Sequence, residues 1–253
     1  SPQKAAEYFS SALLVPFNLD PRETANRYSD FAGKLLSMDD KKLTPDFIAG
    51  QLNKATYNKR VITEKTKNDP LLWMRLALDE MSQSVISATP EEKLNMALSS
   101  IEKAIALAPK RVELLQLKIQ LDSYKKDWPD AVKTAEKIVE YNPFDPKLEW
   151  QLAMAYFLNG QEKEAVAAGD SALARGYKFT ALQQFAWYIQ YYENKKDYAK
   201  VAPLLEKAIE LQPNEIGLYV DLAKTYAAIG DKEHARALAE QVIKFDPTQK
   251  AAM

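Results

Sequence analysis

The chain has 253 residues, 47% hydrophobic and 27% charged, which gives enough apolar material for a sizeable core. Its 34 basic and 35 acidic residues leave a net charge of −1, so no electrostatic footprint for nucleic acid or an anionic lipid surface is present. With no cysteine, disulfides and thiolate metal sites are excluded, and with only 7 glycines and a dominant 3.6-residue hydrophobic period the chain reads as all-α.

Residues 1–14 carry Ala5, Phe9 and Ala12 at helical spacing and read as the second helix of a pair whose first helix is missing. The chain is therefore expected to be a piece of something longer. A turn from Pro16 to Pro21 leads into a helix over about 22–37 bearing Tyr28, Phe31, Leu35 and Leu36, and Asp39-Asp40-Lys41-Lys42 forms a solvated connector. Thr44 followed by Pro45 is an N-cap and first turn, and the helix it starts can run to about Lys67 before Asn68-Asp69-Pro70 ends it. Leu72, Trp73, Leu76 and Ala77 open another helix that extends to about Ile86, and Thr89-Pro90-Glu91-Glu92 starts its partner.

From there the chain repeats. The small residue early in each second helix recurs as Ala97, Ala131, Ala165, Val201 and Ala235, at separations of 34, 34, 36 and 34. Seven residues further on stand Ala104, Ile138, Ala172, Ala208 and Val242, and five beyond those Pro109, Pro143, Tyr177, Pro213 and Pro247, in the same register. The stretch 147–176 shows the unit plainly. An apolar helix containing Trp150, Leu152, Ala153, Met154, Tyr156 and Phe157 stops at Asn159-Gly160, and a second helix carries Ala165, Val166, Ala168, Gly169, Ala172 and Leu173 on one side. Neither helix can bury its stripe alone, so consecutive units must stack. The one break in register is a two-residue insertion near Arg175-Gly176-Tyr177-Lys178.

This period and pattern resemble the tetratricopeptide repeat, a 34-residue helix-turn-helix. Tyr219, Leu222, Ala223, Tyr226, Gly230, Ala235 and Pro247 occupy its slots in the last unit, and the match is strong over about residues 90–247. The resemblance implies a right-handed α-solenoid of antiparallel helix pairs, a single solenoid over residues 1–253 that is irregular over 1–109 and regular over 110–247. In that family the first helices line a concave face that takes a segment of a partner protein. The slots pointing into that groove fall on Gln116, Gln120, Trp150, Gln151, Met154, Phe157, Trp187, Gln190, Asp221 and Lys224. Trp150, Met154, Phe157 and Trp187 would form an apolar patch flanked by amides, unless the tryptophans pack inward. The paired Lys and Asn with which some family members clamp acidic C-terminal peptides are missing, since Lys224 is the one basic residue at those slots.

Catalytic chemistry has little to work with. His234 is the only histidine, which removes every His-pair metal site, and no Gly-rich phosphate loop, H-E-x-x-H motif or nucleophile elbow occurs. Asp39-Asp40 and Glu91-Glu92 sit at helix boundaries, where carboxylates favour a helix N-terminus or solvate a turn. No enzyme activity, metal or cofactor is expected, and no apolar run approaches the roughly 20 residues that span a bilayer.

A second, looser resemblance covers residues 1–80. The succession YFSSALLVPFNLDPRETANRYSDFAGKLL, then TPDFIAGQLNKATYNKRVITEKTKNDPLLWMRLA, resembles the repeat tail of bacterial O-antigen ligase or polymerase-like membrane proteins. It implies a non-catalytic accessory or recruitment domain within a longer membrane-anchored chain, on the extracytoplasmic side of the membrane. Without it a cytoplasmic interaction scaffold is the expectation.

Overall fold

A computed structural model describes residues 1–13, 20–38 and 43–245. The turn at Pro16, the Asp39–Lys42 connector and Pro247 with the residues after it lie outside the described residues. Among the described residues the chain is all-α, with thirteen α-helices and two single turns of 3₁₀-helix. It resolves into two compact units, Ser1–Arg175 and Gly176–Met253, whose boundary falls at the two-residue insertion.

The first unit contains α1 (Pro2–Leu13), α2 (Pro21–Lys34), α3 (Pro45–Lys65), α4 (Pro70–Ser84), α5 (Pro90–Leu107), α6 (Val112–Lys125), α7 (Trp128–Tyr141), α8 (Pro146–Leu158) and α9 (Glu162–Ala174). Its helix starts follow one recipe. An Asp or Thr side chain accepts from the first free amides, and proline takes the first turn, where its missing N–H costs nothing. Asp20 accepts from the Arg22 amide at 3.0 Å, Thr44 from Phe47 at 3.2 Å, Asp69 from Leu71 at 2.9 Å and Asp145 from Lys147 at 2.9 Å. Three starts depart from the recipe: the Thr89 hydroxyl donates to Glu92 Oε2 at 3.0 Å instead of capping α5, and α6 and α9 follow Arg111 and Gln161 with neither a side-chain cap nor a proline in the first turn. Consecutive helices pack against one another in sequence order, and Phe9 of α1 stacks on Tyr28 of α2 at 5.4 Å, as a second helix does on the first helix of the next pair.

The second unit contains α10 (Ala186–Asn194), α11 (Tyr198–Leu211), α12 (Ile216–Ile229) and α13 (Lys232–Phe245). Its opening departs from the repeat pattern. The first helix of this pair is only nine residues long, because residues 176–185 form a loop with one 3₁₀ turn, Leu182–Gln184. Gly176 sits at φ +91°, a conformation open to glycine, where the other units carry proline one position on. Gln184 Oε1 accepts from the Thr180 amide at 2.8 Å, and Phe179 stacks on the fully buried Phe185 with ring centres 4.0 Å apart. The loop is held by its own side chains rather than by helix hydrogen bonds.

The end of each first helix is also built to one plan in both units. Lys126, Gly160, Lys196 and Gly230 take positive φ at separations of 34, 36 and 34, the same register as the packing slots. The next amide then bonds five residues back: Asp127 to Asp122 O at 2.8 Å, and Gln161, Asp197 and Asp231 to the carbonyls of Tyr156, Tyr192 and Tyr226, each at 2.9 Å. This closes the orphan carbonyls of the last turn and reverses the chain onto its partner. The small-residue slots do what the repeat requires. Ala97, Ala131, Ala165 and Val201 are buried, as are Ala104, Ile138, Ala172, Ala208 and Val242, so paired helices approach closely. Ala235, in the last pair, is half-buried.

The irregular N-terminal pairs bury ion pairs between neighbouring helices. Lys59 on the 21-residue α3 lies 2.9 Å from Asp79 on α4, with side chains 3% and 15% exposed. Next to it Glu80 is fully buried, its two oxygens held by Arg60 of α3 and by the Ser100 hydroxyl of α5, the latter at 2.7 Å. Burial pushes the Asp79 and Glu80 carboxyls up and the Lys59 ammonium down, while the partners oppose those shifts. Such a pair contributes little net stability but is costly to break. We expect Lys59→Met alone to lower unfolding free energy by about 3–5 kcal/mol in urea titrations, and Lys59→Met with Asp79→Leu to recover all of that loss or more. The left-handed lysines give the opposite sign: Lys126→Gly should stabilise by about 1 kcal/mol in the same measurement, because glycine takes positive φ without the Cβ clash.

Candidate partner-binding surface

In the first unit the expected surface residues lie on two neighbouring first helices, α6 and α8. Gln151 of α8 accepts a hydrogen bond from Gln116 Nε2 of α6 at 3.1 Å, so the two helices are joined across their outward faces by an amide pair. Gln120 and Gln151 are exposed, while Gln116, Met154 and Phe157 are half-buried. Trp150 is 3% exposed and belongs to the interior of its pair. The structure adds two residues that sequence reasoning missed. Tyr124 at the end of α6 is 60% exposed and Leu158 at the end of α8 is 43% exposed. They stand 34 residues apart, so the repeat register itself was the signal that could have found them.

In the second unit Gln190 of α10 and Asp221 and Lys224 of α12 are exposed. Trp187 is 8% exposed. Its indole N–H donates to the Gln184 carbonyl at 3.2 Å and its ring meets Tyr188 edge-on at 5.2 Å, so it anchors the short helix. The Glu193 carboxyl is pushed up by burial and by the like charge of Asp221.

The same slot on three of the first helices reaches back 20 residues to the helix before it. Tyr156 of α8 donates to Glu136 of α7 at 2.8 Å, Tyr226 of α12 donates to Glu206 of α11, and Glu80 of α4 accepts from Arg60 of α3. On α6 the slot holds Asp122, buried and pushed up by desolvation, and Lys118 one turn earlier binds it at 2.8 Å. These bonds fix the surface from behind.

Groups capable of catalysis do not converge among the described residues. His234 is exposed at the start of α13, its Nδ1 2.8 Å from Asp231 Oδ2, and its own amide donates to Asp231 Oδ1 at 3.1 Å, so the pair caps a helix. Glu91 and Glu92 occupy the first turn of α5. No group of three or more His, Cys, Asp or Glu residues that could hold a metal occurs among the described residues, and none of their helices is long and apolar enough to cross a membrane.

Among the described residues, helices packed on one another in sequence order within each unit, with first-helix ends stopped at spacings of 34, 36 and 34 residues, decide the fold. It is that of tetratricopeptide repeat proteins. Residues 195–253 match the tetratricopeptide repeat family model. Among solved structures, the C-terminal part of a tetratricopeptide repeat-containing protein from Cytophaga hutchinsonii superposes with TM-score 0.57 at 18% identity, covering 87% of this chain and 78% of its own. PilF of Pseudomonas aeruginosa gives TM-score 0.57 at 11% identity over 90% of this chain and 95% of its own. YrrB, described as a tetratricopeptide repeat protein with an unusual peptide-binding site, gives 0.54 at 16% identity over 75% and 92%. No curated protein matches the sequence.

The tyrosine bonds behind this surface carry a pH signature. The Tyr156 phenol is pushed up to about 12 from 10.0, first by burial and then by its bond to Glu136. Its folded value is raised, so the stabilisation it gives is complete below pH 10 and is lost as pH rises through about 12. Tyr156→Phe should cost about 1 kcal/mol at neutral pH. It should also remove a phenolate transition near pH 12 from the absorbance titration; loss of a transition near pH 10 instead would show that the phenol is not held by Glu136.

Proposed function

We propose that the chain is a non-catalytic scaffold that takes a segment of a partner protein on the exposed faces of its first helices. The observation that carries this is the Gln116–Gln151 amide pair joining α6 and α8, helices that also carry the half-buried Met154 and Phe157 and the exposed Tyr124 and Leu158. Amides supply main-chain-like donors and acceptors, and the half-buried apolar side chains supply the area from which a docked segment gains affinity. Gln190, Asp221 and Lys224 of the second unit offer a more polar surface for the same use, and the buried Trp150 and Trp187 support these surfaces instead of touching the partner. YrrB, with its peptide-binding site, is consistent with this reading. Recruitment within a membrane-anchored glycan ligase is a compatible setting that rests on the N-terminal sequence resemblance alone.

Panning a random peptide library on the whole chain tests the reading. Recovered peptides should lose about tenfold or more in affinity to Gln151→Glu and Met154→Glu variants that keep the parent melting temperature. Peptides indifferent to both substitutions but sensitive to Lys137→Glu, on the exposed side of the second helix α7, would place the binding face elsewhere.

A further inference from the structure

A cavity of about 420 Å³ lies between α2 and α4, away from the amide surface of α6 and α8. Most of the charges around it already have partners. Asp20 accepts from two amides of α2 and pairs with Arg22 at 3.3 Å, Glu23 pairs with Arg27 at 2.6 Å, and Asp69 caps α4. Three polar groups of the lining are left over. Arg75 of α4 is exposed and pairs with no carboxylate among the described residues. Asp30 of α2 is likewise exposed, with no cation in an ion pair to it. Asn26 of α2, one turn before Asp30, has its Oδ1 buried with no hydrogen-bond donor. Leu71, 37% exposed, and the buried Leu72 supply an apolar wall.

The leftover groups are complementary to one kind of ligand. A guanidinium matches a carboxylate in a two-pronged bond, and a carboxylate with a neighbouring carbonyl oxygen matches an ammonium. A lone anion would meet Asp30, and a lone cation would meet Arg75. Both charged groups act electrostatically on the buried Lys59–Asp79 pair, which places them on the same stretch of the α2–α4 contact. A donor brought to Asn26 Oδ1 also satisfies an acceptor whose burial is otherwise costly. The volume is at the small end of ligand pockets and fits an amino-acid-sized group.

We propose that this cavity binds a zwitterion of amino-acid size, its carboxylate on Arg75, its ammonium on Asp30 and Asn26, and its apolar part against Leu71. The same chemistry is presented by a free amino acid and by a protein segment with adjacent Lys and Asp side chains. Calorimetry on the whole chain tests this with L-leucine, N-acetyl-L-leucine, L-leucinamide and the blocked dipeptide acetyl-Lys-Asp-amide. The expected result is saturable one-to-one heat with L-leucine, at least about tenfold weaker binding of both singly blocked forms, and loss of binding in Arg75→Gln. Binding of the blocked dipeptide in place of L-leucine, also lost in Arg75→Gln, assigns the zwitterion to a protein segment. Arg75→Lys, which keeps the charge but not the fork, should bind with intermediate affinity and serves if Arg75→Gln does not fold. The proposal is overturned if neither L-leucine nor the dipeptide gives saturable heat at about 10 mM, if N-acetyl-L-leucine binds as well as L-leucine, or if a folded Arg75→Gln chain keeps full affinity.

Discussion

Each helix of this chain carries an apolar stripe that it cannot bury by itself, and every other feature follows from having to supply a neighbour at the right moment. The stop at the end of a first helix is therefore as important as the stripe. A single left-handed residue followed by an amide bonded five residues back returns the chain at Lys126, Gly160, Lys196 and Gly230. The backbone accepts lysine at two of these positions despite the Cβ strain, so the demand for the reversal outweighs the preference of the residue. Once the reversal is made, alanine-sized slots at fixed distance bring the two helices together, and the pair becomes a block that the next pair can cover.

That logic explains which parts of the structure were legible in the sequence. The small buried slots and the Asp-Pro or Thr-Pro starts are local signals, and α3 begins at Pro45 with Thr44 as its cap, as the residues suggest. The loop over residues 176–185 was not legible. Its sequence differs from the repeat by a two-residue insertion, but its structure depends on Phe179 reaching Phe185 and on Gln184 bonding back to Thr180, contacts no periodicity encodes. The tryptophans show the same limit. A slot in a repeat gives a residue's angular position on its helix, while burial also depends on the neighbours beside it, and Trp150 and Trp187 are large enough to be covered by theirs.

The N-terminal pairs depart from the repeat in a consistent direction. Where α7–α8 and α11–α12 place tyrosine against glutamate, α3 and α4 place lysine and arginine against aspartate and glutamate, with Lys59 and Glu80 buried and Ser100 closing the last acceptor. Desolvation works against these charges, so they are poor glue and costly to disturb. Helix α4 also borders the cavity lined by Arg75, Asp30 and Asn26, and most of the buried polar side chains among the described residues lie in this part of the chain, the part least like a standard repeat.

A chain of look-alike units faces a hazard that a chain of dissimilar ones does not: during folding, a helix pair can dock on the wrong neighbour and still bury its stripe. The reach-back slot supplies a discriminator. Glu80 finds a cation on α3, whereas on α7 it would meet Glu136, and on α11 it would meet Glu206. Misdocking would thus bring two carboxylates together behind an otherwise satisfied apolar contact. The slot holds Glu80, Asp122, Tyr156 and Tyr226 along the chain, so docking α4 on α7 or α11 would be resisted by charge even where shape allows it.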